Sequence, residues 1–389
     1  MLTVSHICIL TSIHPFDDVR VDQKIGRSFL ESGLRVSWVG PQIGFPGSRP
    51  DPRYEPYLFK PGKGRRGRIG NILRAYRIAR RIRGINVFYA PDPDSAYLAV
   101  RLARSRGARV IFDIHEMFHE AMLEHWLGVR GSRRFGGIIR FIIARICRKC
   151  ELVIGVSEAV LKPYRDDLRE KIVIRNCATR SFARGIPADV CGVGKTVFSI
   201  MHGKNLPLRG TEIVLRALQI LKKRTAGIRI VMFEAFHPGS PAERKFRLKI
   251  EKAGIKECVD LKSSIPNSDM PSVLAECDVG IITYGRTLGN DSLPNRLFEY
   301  MAAGLPVIAP SYAKEIVSVL EEERCGLAVD AENPEALAEA IVFLKMNPER
   351  AREMGLRARE GFIQRHNWDI EVSPLIRRIR EWTEYRMPG

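Results

Sequence analysis

Short apolar strands and amphipathic helices alternate twice along these 389 residues, and the repetition constrains the fold more than any single motif. The first run predicts strands near Val4–Leu10, Arg35–Val39, Val87–Ala90, Val110–Asp113, Leu152–Gly155 and Ile172–Ile174. Helical spacing falls between them, at Asp22–Ser32, Asn71–Ile82 and Ser95–Ser105. The pattern breaks into Gly, Pro and small residues around Phe182–Lys195. A second run then predicts strands at Val197–Met201, Ile228–Glu234, Val279–Thr283, Val307–Ala309 and Gly326–Val329, with helices at Thr211–Lys223, Ala242–Ala253 and Asn295–Ala303. Strand and helix in strict alternation imply a mostly parallel, doubly wound α/β sheet. Two such runs imply two Rossmann-like domains, expected at 1–185 and 196–366, facing each other across a cleft. The tail from Pro334 reads as helical. Its last stretch, 367–389, is long enough to cross back onto the first domain. Pro41–Gly70, rich in Gly, Pro and Arg, reads as a long loop or lid.

Length supports two cores, since single cores stop growing beyond roughly 250–300 residues. With 45% apolar and 28% charged residues, disorder is excluded as the general state. Met1–Leu10 is too short and polar for a signal peptide and reads as the first strand. No uncharged run approaches the roughly 18 residues of a membrane span. The eight cysteines sit mostly in apolar segments, as buried thiols in a reducing compartment do. Cys147-x-x-Cys150 has no second pair, so chance is favoured over zinc or redox chemistry.

The net charge of +19 is unevenly spread: residues 60–150 hold 21 Lys and Arg against six Asp and Glu. Such a local field calls for an anionic partner: a nucleic acid, an acidic membrane or a phosphorylated substrate. Within 130–149, Ile138, Phe141, Ile142, Arg145 and Arg148 recur at near-helical spacing. That pattern suits a helix at an anionic membrane surface, reinforced by the basic block at 60–83. The alternative is a helix packed on the sheet with its arginines reaching out to water. No zinc finger, RNA-binding sheet motif or helix-turn-helix accompanies the charge, so no specific nucleic acid is expected.

Candidate site residues cluster after predicted strands, where α/β sheets bind ligands. His202-Gly-Lys-Asn-Leu-Pro-Leu-Arg-Gly210 follows the first strand of the second run. Gly203 would let the backbone approach a ligand, and Lys204 or Arg209 would neutralise a diphosphate. The bland alternative is a basic turn that only starts a helix. Asp291 and Glu299 flank the start of the Asn295 helix. Glu299 can accept from ribose hydroxyls, while the backbone N–H groups of Asp291, Ser292 and Leu293 face a diphosphate or a sugar. Alternatively, Asp291 or Ser292 merely caps the helix and Glu299 is solvated. In the first run, Asp113-Ile-His115-Glu116 ends a strand. His115 can bond a sugar hydroxyl with Glu116 fixing its tautomer, or be a satisfied structural histidine. His14, Asp17 and Arg20, after the first strand, are acceptor contacts or turn formers. Asp92 and Asp94, flanked by prolines, read as a rigid turn rather than a metal site. No Gly-x-Gly-x-x-Gly follows the first strand and no P-loop occurs, which counts against a dinucleotide oxidoreductase or P-loop ATPase.

Taken together, the Asn290–Pro310 segment, Asp113–Glu116, Asn176 and Gly326–Ala340 resemble the retaining GT-B glycosyltransferases of the GT4 family. The resemblance implies two facing Rossmann-like domains and a hexosyltransferase-type reaction, with a UDP- or GDP-sugar favoured as donor in the second domain. It implies an acceptor, a lipid-linked or cell-surface glycan precursor, held mainly by the first. Glu299 would contact the donor ribose and Asp291 would stand where the family has a glutamate near the sugar. Arg209 would replace the phosphate-binding lysine, with Lys204 as a second ligand and His115 near sugar and acceptor. The mechanism so implied needs no metal and no obligatory cofactor, and its expected location is cytoplasmic, peripheral on the inner face of the cell membrane. The competing readings are a nucleotide-sugar epimerase of the same fold and a basic nucleic-acid-binding protein.

Overall fold

The computed structural model describes residues 5–43, 51–62, 64–115, 136–186, 197–286 and 293–384. The chain divides into two compact units, Met1–Asn176 with Ile370–Gly389, and Cys177–Asp369.

The first unit carries a seven-stranded sheet. Its strands are β1 (His6–Leu10), β2 (Arg35–Pro41), β3 (Tyr54–Phe59), β4 (Val87–Ala90), β5 (Arg109–Ile114), β6 (Leu152–Gly155) and β7 (Lys171–Val173). They are all parallel, in the order β3-β2-β1-β4-β5-β6-β7. Every residue of β1, β4 and β6 is buried, as required of strands covered by helices on both faces. Strand order reverses between β1 and β4, so the carboxyl ends of these two form the switch point where such sheets bind ligands.

Two expectations for this unit need correction. The 41–70 stretch is not a loop throughout: β3 lies within it, and a helix runs from Gly64 to Ala79. Pro56 obscured the strand, and the sheet tolerates it because β3 is an edge strand. The helix expected at Asp22–Ser32 begins earlier, as a π-helical segment Val19–Gly26 followed by α-helix Arg27–Glu31. Asp18 opens it by accepting from the N–H groups of Arg20 and Val21.

The second unit repeats the scheme with β8 (Phe198–Lys204), β9 (Ile228–Phe233), β10 (Val259–Lys262), β11 (Val279–Ile281), β12 (Val307–Pro310) and β13 (Gly326–Val329). These too are parallel, in the order β10-β9-β8-β11-β12-β13, with the reversal between β8 and β11. Alternate residues feed opposite cores: Ile200 and Ile230 pack on one face, Met201 and Val231 on the other. Strand β10, which the apolar pattern does not announce, is half-buried along its length and alternates Asp260 and Lys262 with apolar neighbours.

The units divide at Asn176/Cys177, before the Gly- and Pro-rich stretch, because Cys177, Ala178, Phe182, Ala183 and Ile186 bury in the core of the second unit with Leu274, Phe298 and Phe362. At the other end, the Trp368–Glu384 helix changes allegiance at Ile370. Glu371 takes both the side chain (2.9 Å) and backbone N–H (2.9 Å) of Arg175, Arg378 pairs with Glu170 at 2.6 Å, and the Arg109 guanidinium lies 4.9 Å from the Trp382 ring. Cys147 and Cys150 are fully buried and burial raises both thiol pKa values, so the pair serves as apolar filling.

Candidate active site

At the second switch point, β8 is irregular against β9 between Met201 and Gly203, and bulges of this kind re-aim side chains beside functional sites. His202 is fully buried there. The Thr211 hydroxyl donates to the Leu206 carbonyl (2.8 Å), so it accepts from His202 Nε2 (3.1 Å), which fixes the Nε2–H tautomer. Burial, then the charges of Arg296 and Arg209, depress the His202 pKa far below the usual range, so the ring is neutral. Gly203 sits at φ +91°, a conformation that strains residues with a Cβ. The turn Pro207–Arg209 leads into Gly210 at φ +73°, where a Cβ would come within 1.8 Å of the Thr283 carbonyl oxygen. Thr283 in turn donates its hydroxyl to the Arg209 carbonyl at 2.6 Å. Gly210 is therefore what lets this loop press against the end of β11.

Arg209 is half-buried. Burial first and the charge of Arg296 second lower its pKa, while Tyr284, Tyr300 and Glu299 act the other way. Glu299 is half-buried on the Asn295–Ala302 helix, Leu293 just before that helix leans on the core, and Lys204 is exposed at the end of β8. Asp291 and Ser292 lie outside the described residues. Helix and sheet approach closely because β11 has Gly280, where a Cβ would strike the Tyr300 ring at 2.2 Å.

The residue that sequence patterning did not single out is Arg296. It is only 8% exposed, donates from Nη1 to the His202 carbonyl, and lies 4.7 Å from the Tyr284 ring. A signal for it exists: it precedes Glu299 by three positions, so the two share a helix face. The apolar pattern of Leu297 and Met301 masks it.

At the first switch point the charges are paired. Thr11 donates to Asp92 (2.6 Å) and Ser12 to Asp94 (2.7 Å). His14 lies between Asp18 and Asp92, its two ring nitrogens each 3.2 Å from a carboxylate oxygen. Burial disfavours the imidazolium, but hydrogen bonds to Asp18 and Asp92 outweigh it and raise the pKa to about 10. His115, half-buried just beyond β5, lies 5.0 Å from the His14 ring, and chiefly burial lowers its pKa. Glu116, expected to set its tautomer, lies outside the described residues. Asp17 is exposed and held at φ +101°, a strained backbone for a non-glycine residue. Arg20, read from sequence as an acceptor contact, is instead buried at 5% exposure. It forks onto Asp113 at 2.9 and 3.0 Å and reaches the Ile174 carbonyl. Burial raises the Asp113 pKa, but Arg20 outweighs it and holds the carboxyl low; the Tyr89 hydroxyl also donates to it. Asp92 and Asp94 border the Pro93–Arg104 helix, with their oxygens engaged by Thr11, His14, Ser12 and Ser95.

Two other features lie elsewhere. A surface cavity of about 710 Å³ is lined by Arg216, Lys222, Lys223 and Pro334 and includes none of the switch-point residues. Among the described residues, one group could hold a metal ion, Glu322, Glu323 and His366, and Arg365 already forks onto Glu323 there.

Comparison with known proteins assigns this architecture. Residues 193–361 match the family model "Glycosyl transferases group 1", and residues 23–178 match "Glycosyltransferase Family 4". The GDP-mannose-dependent alpha-(1-6)-phosphatidylinositol monomannoside mannosyltransferase of Mycobacterium tuberculosis (strain ATCC 25618 / H37Rv) is 25% identical over 178 residues, 45% of this chain and 45% of that protein. The chain thus spans about half the length of the curated relatives it matches first. Among solved structures, sucrose-phosphate synthase from Thermosynechococcus elongatus superposes with a TM-score of 0.74 at 15% identity, over 97% of this chain and 98% of that one. Anabaena HepE in complex with UDP gives 0.70 at 13% identity, over 97% and 100%. With both sheets matched by these folds and both family models placed on them, the chain belongs to the GT4-type glycosyltransferases of the GT-B fold.

Proposed function

We propose that this chain is a retaining hexosyltransferase that moves a sugar from a nucleoside-diphosphate donor, UDP- or GDP-linked, to a hydroxyl of a lipid-linked or cell-surface glycan precursor. The observation that carries the reading is the cationic end of β8 and β11. Arg209 and Arg296 converge there, and among the described residues neither is ion-paired with a carboxylate. A nucleoside diphosphate supplies the missing charge. Arg209 and Lys204 hold it, Gly203 allows the backbone close, and Leu293 just before the helix faces phosphate or sugar, with Asp291 and Ser292 assigned to the same ligand from the sequence. Glu299 accepts from the ribose hydroxyls.

As the glycosidic bond breaks, electrons pass to the leaving diphosphate oxygen, and the fixed cations stabilise that charge without reorganising. The acceptor hydroxyl attacks on the leaving-group face and gives up its proton to the departing diphosphate oxygen as the new bond forms. His115 orients the acceptor. Its depressed pKa favours the neutral ring, which can both accept and donate a hydrogen bond.

The M. tuberculosis relative acts on a phosphatidylinositol monomannoside, by its name, which supports a lipid-linked acceptor. So does the helical segment 136–147, where Ile138, Phe141 and Ile142 are exposed beside Arg140 and Arg145. We assign this face, with the basic 60–83 region, to an anionic membrane surface, and the protein to the periphery of the membrane. No helix among the described residues is long and apolar enough to cross a membrane.

The test is a thermal-shift screen against UDP-, GDP-, ADP- and TDP-sugars on the wild type and on Glu299→Ala, since a ligand of the folded state raises apparent stability. A selective shift that the variant loses supports the donor site. Release of nucleoside diphosphate only when an acceptor is present separates transfer from epimerisation. No shift with any donor, or failure to bind anionic vesicles at moderate salt, removes the corresponding part of the proposal.

A further inference from the structure

We infer that Arg296 is a positioning cation for the leaving diphosphate: a buried charge beneath the 202–210 loop that is complemented only when an anion occupies the carboxyl ends of β8 and β11. The inference rests on the donor reading above, in which Arg209 and Lys204 hold the diphosphate, and gives Arg296 a role of its own there.

Three observations converge. The side chain is more than nine-tenths buried, yet the polar groups beside Nε and Nη2 are the hydroxyls of Tyr284 and Tyr300, and no carboxylate among the described residues pairs with it. The nearby phenols of Tyr300 and Tyr284 favour its charge, outweighing the burial that opposes it, but they carry no formal negative charge at neutral pH. Nη1 is aimed at the loop, where it bonds the His202 carbonyl, and a Cβ on Gly203 would lie 3.2 Å from it. Arg209 feels the same guanidinium as a repulsive neighbour. Like charges gathered in a protected site are costly to the folded state, and Glu299 offsets Arg209 without ion-pairing it among the described residues. An anion on the loop reverses the sign of that interaction. Because Arg296 is locked by the His202 carbonyl and stacked on Tyr284, it needs no rearrangement as charge builds on the leaving oxygen.

A purely structural role, holding the bulge in β8, makes different predictions. It would weaken every ligand of the loop in proportion. A charge acting on a diphosphate must discriminate by the charge of the ligand. Calorimetric titration of the full chain with UDP and UMP, and with GDP and GMP, reads this directly. Wild type is expected to prefer one diphosphate over its monophosphate. Arg296→Met should lower diphosphate affinity by about tenfold or more and monophosphate affinity by less than about threefold, so the preference collapses. Arg296→Lys should recover part of it, having the charge without the fork.

A diphosphate preference that survives in Arg296→Met, or an equal loss for both ligands, overturns the inference and leaves the donor site intact. Wild type that binds neither diphosphate overturns the donor reading and the inference with it. If Arg296→Met fails to fold by circular dichroism, Arg296→Lys and Arg296→Gln carry the same comparison of the two ligand classes.

Discussion

The two switch points are built from the same strand order but treat charge in opposite ways. At the first, Arg20 is matched by Asp113 and His14 by Asp18 and Asp92. At the second, Arg209 and Arg296 sit together and repel. A site that has satisfied its own charges offers fixed dipoles, which suits neutral hydroxyls. A site short of negative charge is completed by an anion. One fold, used twice, is thus specialised by where its carboxylates are placed rather than by its backbone.

The comparison breaks most visibly on removing one cation from each site. Arg20→Met strands the buried Asp113 carboxylate and should destabilise the protein by roughly 3–5 kcal/mol in chemical denaturation. Arg209→Met strands no ion-paired carboxylate among the described residues and should leave stability within about 0.5 kcal/mol. Equal losses would mean that the two sites are not differently compensated.

The His14 clamp is next in size. Its folded-state pKa is raised from 6.5 to about 10, so its contribution is fully present below pH 6.5 and is lost as pH rises through about 10. Wild-type stability should decline over that window, by up to about 3 kcal/mol. His14→Gln should remove the slope, and a variant that keeps it would dissolve the assigned clamp.

In ligand binding, Arg209→Ala should cost about 1.5–3 kcal/mol of nucleoside-diphosphate affinity, the size of charge-assisted hydrogen bonds. Exposed Lys204→Ala should cost no more than about 1 kcal/mol and less as salt is added. If Lys204 proves the larger of the two, the phosphates sit further out along the loop than the buried pair suggests.

Much of this architecture is legible in the order of residues alone. Apolar runs such as Ile7–Leu10 and Val307–Ala309 announce strands buried on both faces, and the segments after them hold His14, His115, Gly203 and Arg209, all of which lie at or just beyond strand ends. Periodicity fails where a local rule is broken by tertiary context. Pro56 is tolerated because β3 is an edge, and the π-helical turn at Val19 is held by Asp18 and by the Arg20 bond to a strand 93 residues away. The domain boundary moves for a similar reason, since Phe182 and Ile186 take their identity from the core they bury in.

Sequence alone determined the two parallel α/β units and the chain segments that end at their switch points, because both follow from short-range hydrophobic pattern and loop chemistry. The tertiary structure decided how charge is distributed over those segments. Arg20 became a buried strut, His14 a clamped imidazolium and Arg296 a cation under the 202–210 loop, because burial and ion pairing depend on which distant residue folding brings within about 4 Å, and sequence spacing does not carry that distance.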